Sequence, residues 1–203
     1  MKVCIVIGSY HKKGMVRSLV DSFKKGILEN RKDSEVEVID LLDKKINFCN
    51  GCNICGKDDA SKKIGMCVQK DDAHKLMQKL LECDVLVFAT PIYEYSPTAL
   101  MKRFLERCIC MGMSTDRFPK ARNKVRKDKI GVVITSTACP YPINDIILFT
   151  LYSKIVLKSI CKSFGANKKY CLSAGAMEAS IKARGRFVKK SYYLGAKVAK
   201  KYR

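Results

Sequence analysis

Cys49, Cys52 and Cys55 stand two residues apart from one another, and Cys67 follows after eleven more. Three thiolates at that spacing can wrap a loop around a 4Fe–4S cubane, with the fourth ligand arriving from elsewhere. Zinc is less natural, because structural zinc sites usually pair two separate C-x2-C knuckles or add His. A redox-active dithiol is the third reading of the same residues. His74, inside an amphipathic helical stretch, reads as a surface residue and not as a ligand.

Two further segments carry chemistry of another kind. Gly8-Ser9-Tyr10-His11-Lys12-Lys13-Gly14-Met15-Val16 combines small residues, a hydroxyl and basic side chains ahead of a helical pattern. Those features suit an anion or phosphate cradle at a helix N-terminus. The segment fits neither G-x-G-x-x-G nor the Walker pattern, so a single phosphate is expected and not a pyrophosphate. An ordinary strand-to-helix turn is the plainer alternative. Thr90-Pro91-Ile92-Tyr93-Glu94-Tyr95-Ser96-Pro97 is stiffened by two prolines. Here the N–H groups from Ile92 to Tyr95 are expected to lack strand partners, and the tyrosines either flank a flat heteroaromatic ring or cap the core edge. A third segment, Ser136 to Tyr141, is placed to cover the other side of that ring, with Cys139 facing it.

The elements that must hold these segments follow from periodicity. Apolar runs at Lys2–Ile7, Val36–Leu42, Asp84–Thr90, Ile130–Thr137 and Tyr170–Ala174 read as strands, the third stopped by Pro91. Helical spacing marks Val16 to Ile27, Asp72 to Leu81, Leu100 to Cys108, Ile143 to Phe164, and about Glu178 to Lys200. Asp71-Asp72 supplies N-cap chemistry. Strands apolar on both faces belong to a parallel sheet covered on both sides. The expectation is an α/β, flavodoxin-like three-layer sandwich: a five-stranded parallel sheet in order 2-1-3-4-5 with helices on both faces. In such a sheet a ligand sits beyond the carboxyl ends of the strands, at the switch in strand order, where all three segments lie.

The 203 residues suit one domain, 1–203, with a Cys-rich insert at about 47–68. Eleven cysteines, an odd number, fit a paired extracellular framework poorly. The apolar start is too short for a signal-peptide core, and Asp145, Lys154 and Lys158 interrupt the most apolar later stretch. A soluble, cytoplasmic protein with no membrane association is expected. Cys4, Cys83, Cys108, Cys161 and Cys171 read as small core residues. The net charge is +21, of which Arg117–Lys129 supplies +6 and Glu178–Arg203 supplies +8. The plain reading is a solvated face and tail. No helix-turn-helix, zinc-finger or aromatic-interleaved pattern accompanies the charge, so nucleic acid is not the expected partner. An acidic electron carrier, or the phosphates of NADPH, would be steered by it.

The stretches VCIVIGSYHKKG, INFCNGCNIC with GMCVQKDDA, and VLVFATPIYEYSPTALMKRFLER resemble the NADPH-dependent FMN reductase and iron–sulfur flavoprotein group of the flavodoxin-like superfamily. The resemblance implies an FMN-dependent oxidoreductase taking hydride from NAD(P)H and serving a quinone, flavin, other small molecule or protein acceptor. It implies that Ser9, His11, Gly14, Met15 and Val16 hold the FMN phosphate. Pro91, Ile92, Tyr93 and Glu94 would lie along the isoalloxazine, with Thr135, Ser136 and Thr137 flanking it. Cys49, Cys52, Cys55 and Cys67 are the matching candidates for 4Fe–4S ligands, although the group spaces the last pair by four to seven residues. His11 and Met15-Val16 depart from the group's usual phosphate donors, which leaves Lys12, Lys13, Arg17 and Ser18 as nearby substitutes. A homodimer or homotetramer is also implied. An electron-transfer protein without NAD(P)H activity and a flavin-free thiol regulator remain the alternatives.

Overall fold

Strand β1, Lys2–Ile7, places Val3, Ile5 and Ile7 on one face of a sheet and Cys4 and Val6 on the other, all buried. In this computed structural model, which describes residues 1–56, 67–111, 126–140, 143, 150–175 and 181–202, the two faces grow into two separate apolar cores. Helix α1 (Met15–Asn30) and the C-terminal helix, here α5 (Ile181–Lys201), cover one face. Helices α2 (Asp72–Glu82), α3 (Ala99–Arg107) and α4 (Leu151–Ser163) cover the other. No helix among the described residues is long and apolar enough to cross a membrane.

Five parallel strands run in the order β2 (Glu35–Asp40), β1, β3 (Val85–Tyr93), β5 (Lys129–Ser136), β6 (Ala166–Ala174). This is the expected flavodoxin-like arrangement. The last strand starts four residues earlier than its apolar pattern, because Ala166 to Lys169 are carried by pairing with β5. Helix α4 is described only from Leu151, and much of the expected helix before it lies outside the described residues, as does Glu178 to Ser180 ahead of α5.

The expected stop at Pro91 is wrong in an informative way. Strand β3 runs on through Pro91, which lies opposite Ser136 in β5, and ends only at Tyr93. Proline lacks a ladder donor but fits extended backbone. Ile92 and Tyr93 then pair antiparallel with Pro97 and Ser96 of the two-residue strand β4. The backbone there is therefore a hairpin and not the unpaired loop the prolines suggested. Its two-residue turn, Glu94-Tyr95, has φ of 44° and 62°. Positive φ at both central residues is the type I′ geometry that Asn-Gly supplies without strain; with side chains it costs roughly 1–2 kcal/mol per residue. The Ser153 hydroxyl of α4 donates to the Tyr95 carbonyl at 3.2 Å and holds the turn from behind.

Three segments meet at one buried oxygen. The Gly8 carbonyl accepts from the hydroxyls of Thr90 (3.0 Å) and Thr98 (2.8 Å). Thr98 also caps α3, accepting from the Met101 N–H. The end of β1, the end of β3 and the start of α3 are thereby fixed to one another.

The Cys-rich segment is anchored by a buried ion pair. Arg107, at the end of α3, donates to the Asp71 carboxylate at 2.5 and 3.2 Å and to the carbonyls of Asn47 and Gln69. One guanidinium thus pins both ends of the segment. Asp71 also accepts from the N–H groups of Asn47 and Ala73, the latter as the α2 N-cap. Burial alone would raise its carboxyl pKa, but the bonds from Arg107, Asn47 and Ala73 together hold it below the usual carboxylate range.

A carboxyl whose pKa is lowered on folding contributes stability above its unfolded value, near 3.9, and that contribution is lost as pH falls through the folded value. Asp71→Asn keeps an N-capping oxygen but leaves Arg107 a buried, uncompensated charge. It is expected to lower stability at pH 7 by about 3 kcal/mol and Tm by about 10 °C. Calorimetry at falling pH should then show the gap to wild type closing below about pH 4. In the hairpin, replacing Glu94-Tyr95 by Asn-Gly is expected to raise Tm by about 5 °C, and an unchanged Tm would show that the turn is unstrained.

Candidate functional site

At the carboxyl ends of β1, β3 and β5 the chain leaves a cleft of about 940 Å³. That is within the range of roughly 300–1,000 Å³ for pockets that take cofactor-sized ligands. From the first segment Ser9, His11, Gly14, Met15 and Val16 line it; from the hairpin, Pro91, Ile92, Tyr93 and Glu94; from the third segment, Ser136 and Thr137. Thr135, counted with these in the sequence, is elsewhere. Its side chain is buried within the sheet and shares a 3.0 Å hydrogen bond with Ser173. Alternation along β5 sets Thr135 on the face opposite Ser136, and Thr137 lies beyond the end of the strand, where the alternation no longer applies.

The phosphate end of such a cleft is set by helix α1. Gly14 is its N-cap and offers no side chain, and no acidic residue stands in the first turn. The first intrahelical bond runs from the Ser18 N–H to the Gly14 carbonyl. The N–H groups of Met15, Val16 and Arg17 precede it and face the loop, so this end of the helix presents donors and a positive dipole. Ser9 is almost wholly buried, and its hydroxyl oxygen accepts from the His11 N–H at 3.3 Å. The basic side chains of the loop divide. Lys12 pairs with Asp43, just after β2, at 2.6 Å, and Arg17 with Asp40, the last residue of β2, at 2.5 Å. Lys13 and Ser18 remain on the cleft, joined by Arg184.

Arg184 is the residue that reading the sequence missed. It stands in the first turn of α5, about 170 positions from the loop it faces, and the sequence marks it only as one cation in a basic tail. Tyr95, Ala138 and Cys139 complete the lining. Tyr93 and Tyr95 are about half exposed and flank the mouth. Cys139, whose N–H donates to the Thr137 hydroxyl, is half-buried.

The four spaced cysteines are not gathered. Cys49 and Cys52 are exposed, while Cys55 and Cys67 pack half-buried against the core under α2 and α3. Among the described residues, no group of three or more His, Cys, Asp or Glu is placed to hold a metal ion. As placed, these thiols do not form the ligand set that their spacing suggests. The expected core cysteines behave as such: Cys4, Cys83, Cys108 and Cys161 are buried, and burial pushes their thiols up, Cys83 to about 11. Cys171 is half-buried.

Part of the positive charge is structural. Lys129 is fully buried at the start of β5, and its ammonium donates to the Leu80 and Leu81 carbonyls at the end of α2. Arg126 pairs with Asp84 and Asp128. Residues 117–125 lie outside the described residues.

Known proteins resemble this chain in sequence and in fold. An iron-sulfur flavoprotein of Archaeoglobus fulgidus is 38% identical over 112 residues, which is 55% of this chain and 47% of that protein. Such matches span about half to two thirds of the length of these curated relatives. Among solved structures, an NAD(P)H:quinone oxidoreductase from Methanothermobacter marburgensis superposes with a TM-score of 0.76 at 15% identity, covering 98% of this chain and 96% of that one. An FMN-dependent NADH-azoreductase from Bacillus anthracis, in complex with FMN, gives 0.68 at 13% identity, covering 98% and 100%. At such identities these two establish the shared fold. Residues 1–140, which carry the cradle, the Cys-rich segment, the hairpin and strand β5, match the sequence profile of one family, and the chain belongs to it: NADPH-dependent FMN reductase.

Proposed function

We propose that the cleft binds FMN and that the chain is an oxidoreductase passing reducing equivalents from NAD(P)H to an acceptor. The observation that carries this reading is the meeting, in one cleft, of an uncapped helix N-terminus and a strained, rigid hairpin. The residues fit the cofactor chemically. The N–H groups of Met15 and Val16, with the Ser9 hydroxyl, are donors for a phosphate, and the first turn holds no carboxylate to oppose it. The Pro91–Tyr95 segment is a rigid wall against which an aromatic ring can lie, and Ser136 and Thr137 line the same cleft.

Bound FMN supplies the hydride and electron chemistry. The chain's own residues bind and orient. The helix terminus fixes one end of the ligand, and the hairpin, held by Ser153 and by pairing of Pro91 with Ser136, fixes the other. No acid–base side chain is required of the protein in this scheme, so positioning is its contribution. Because Cys49, Cys52, Cys55 and Cys67 do not converge, no electron step is routed through a cluster.

The acceptor in this proposal is a small molecule or an acidic protein, in keeping with a net charge of +21. A homodimer or homotetramer is proposed as well, supported by Leu151, Tyr152 and Ile155, which are exposed together on α4 behind the hairpin.

Anaerobic titration tests the main reading. The purified chain is expected to take up one equivalent of FMN and to lose its visible flavin absorbance on addition of NADPH or NADH. A chain that stays colourless after incubation with FMN contradicts the proposal. A loaded chain that neither nucleotide bleaches favours an electron-transfer role instead. Replacing Cys49 and Cys52 together by Ser is expected to leave the bleaching rate unchanged, and a large loss of rate would show that these thiols act in electron transfer.

A further inference from the structure

We infer that Arg184, in the first turn of helix α5, is the cationic clamp on the phosphate of the bound flavin, an inference that rests on the FMN reading above. It begins from how α5 lies on α1. The two helices touch backbone to backbone: a methyl group on Gly26 would overlap the Tyr192 carbonyl oxygen, and one on Gly195 would overlap that of Phe23. Two buried or half-buried hydroxyls bridge the same seam. The Ser22 hydroxyl donates to the Val188 carbonyl at 2.8 Å, and the Ser191 hydroxyl to the Leu19 carbonyl at 2.7 Å. Contacts at Leu19 with Ser191 and at Phe23 with Gly195 advance in the same direction along both helices, so the helices run parallel.

The register of that seam fixes where the start of α5 must be. Bonded partners differ by 166 and 172 in residue number, so the α5 residues level with Met15 lie between 181 and 187. Arg184 stands in the middle of that interval. It is therefore at the height of the first turn of α1, and its side chain lines the cleft with His11, Lys13, Gly14 and Met15. Neither helix can slide to another register, because the glycine contacts leave no room for one.

Charge makes the assignment specific. A phosphate monoester carries close to two negative charges at neutral pH. Of the loop's own strong cations, Lys12 and Arg17 reach Asp43 and Asp40 and do not line the cleft. Lys13 and Arg184 are the lysine and arginine lining the cleft. A guanidinium fork suits two phosphate oxygens at once, which an ammonium does not match. Helix α5 thus completes from the far end of the chain a cradle that the first segment begins.

The experiment compares FMN with riboflavin, which has the same ring and no phosphate. Dissociation constants are measured by flavin fluorescence for wild type, Arg184→Gln and Arg184→Lys, with circular dichroism to confirm folding. The glutamine variant is expected to bind FMN about 10- to 100-fold more weakly, the loss of one charge-assisted bidentate contact, with riboflavin binding unchanged. The lysine variant should fall between. Equal weakening of both flavins, unchanged FMN affinity, or an effect confined to the KM for NADPH would each overturn the inference while leaving the FMN reading in place. A wild-type chain that binds neither flavin would overturn both.

Discussion

The cleft depends on one buried carbonyl. Gly8 follows β1, and its oxygen accepts hydroxyl protons from Thr90 within β3 and from Thr98, the N-cap of α3. Parallel strands leave their loops free to diverge once the ladder stops, and this junction prevents that at the point where strand order reverses. The Gly8 N–H is held as well, donating to the Ala89 carbonyl. Because Thr90, Thr98 and the carbonyl are all shielded from water, leaving any of them unpaired would cost about 1–3 kcal/mol. The cradle and the hairpin are consequently held in a fixed relation, and the strained turn at Glu94-Tyr95 can persist because both its ends are held.

The same economy appears on the two sheet faces. On one, glycines let α1 and α5 meet without side chains between them, and the start of α5 is delivered to the cleft. On the other, Arg107 and Asp71 close the Cys-rich segment at its base. Each device converts a long excursion of the chain into a rigid neighbour of the site. Within the described part of that segment Gly51 and Asn53 adopt positive φ, with Cys49 and Cys52 exposed beside them.

Much of this was legible in the residues. Short apolar runs such as Val85–Ala89, stopped by turn residues and alternating with helical patterns, read as strands buried on both faces, and five such units favour this sheet, its order and the position of the cleft. That the loop after β1 lines the cleft was legible because it lies beyond the carboxyl end of a strand next to the switch in strand order. What failed did so for physical reasons. Pro91 reads as a strand stop from its missing donor, yet the last rungs of β3 are satisfied by β5 and β4. Thr135 falls inside β5 with its side chain on the face opposite Ser136, whereas Thr137 lies past the strand end and reaches the cleft. Arg184 was not legible because its place at the cleft comes from packing between residues about 170 apart. The cysteines are a separate matter: their spacing describes reach, and Cys49 and Cys52 lie exposed while Cys55 and Cys67 are half-buried.

The central claim is that the α1 terminus and the β3–β4 hairpin form a single flavin site. Backbone amide NMR during an FMN titration tests it most directly. The account predicts that the amides of Met15 and Val16 and those of Tyr93 to Ser96 shift together and saturate at one equivalent of FMN. Shifts confined to one of the two groups, or centred instead on the Cys-rich segment and α2, would contradict it.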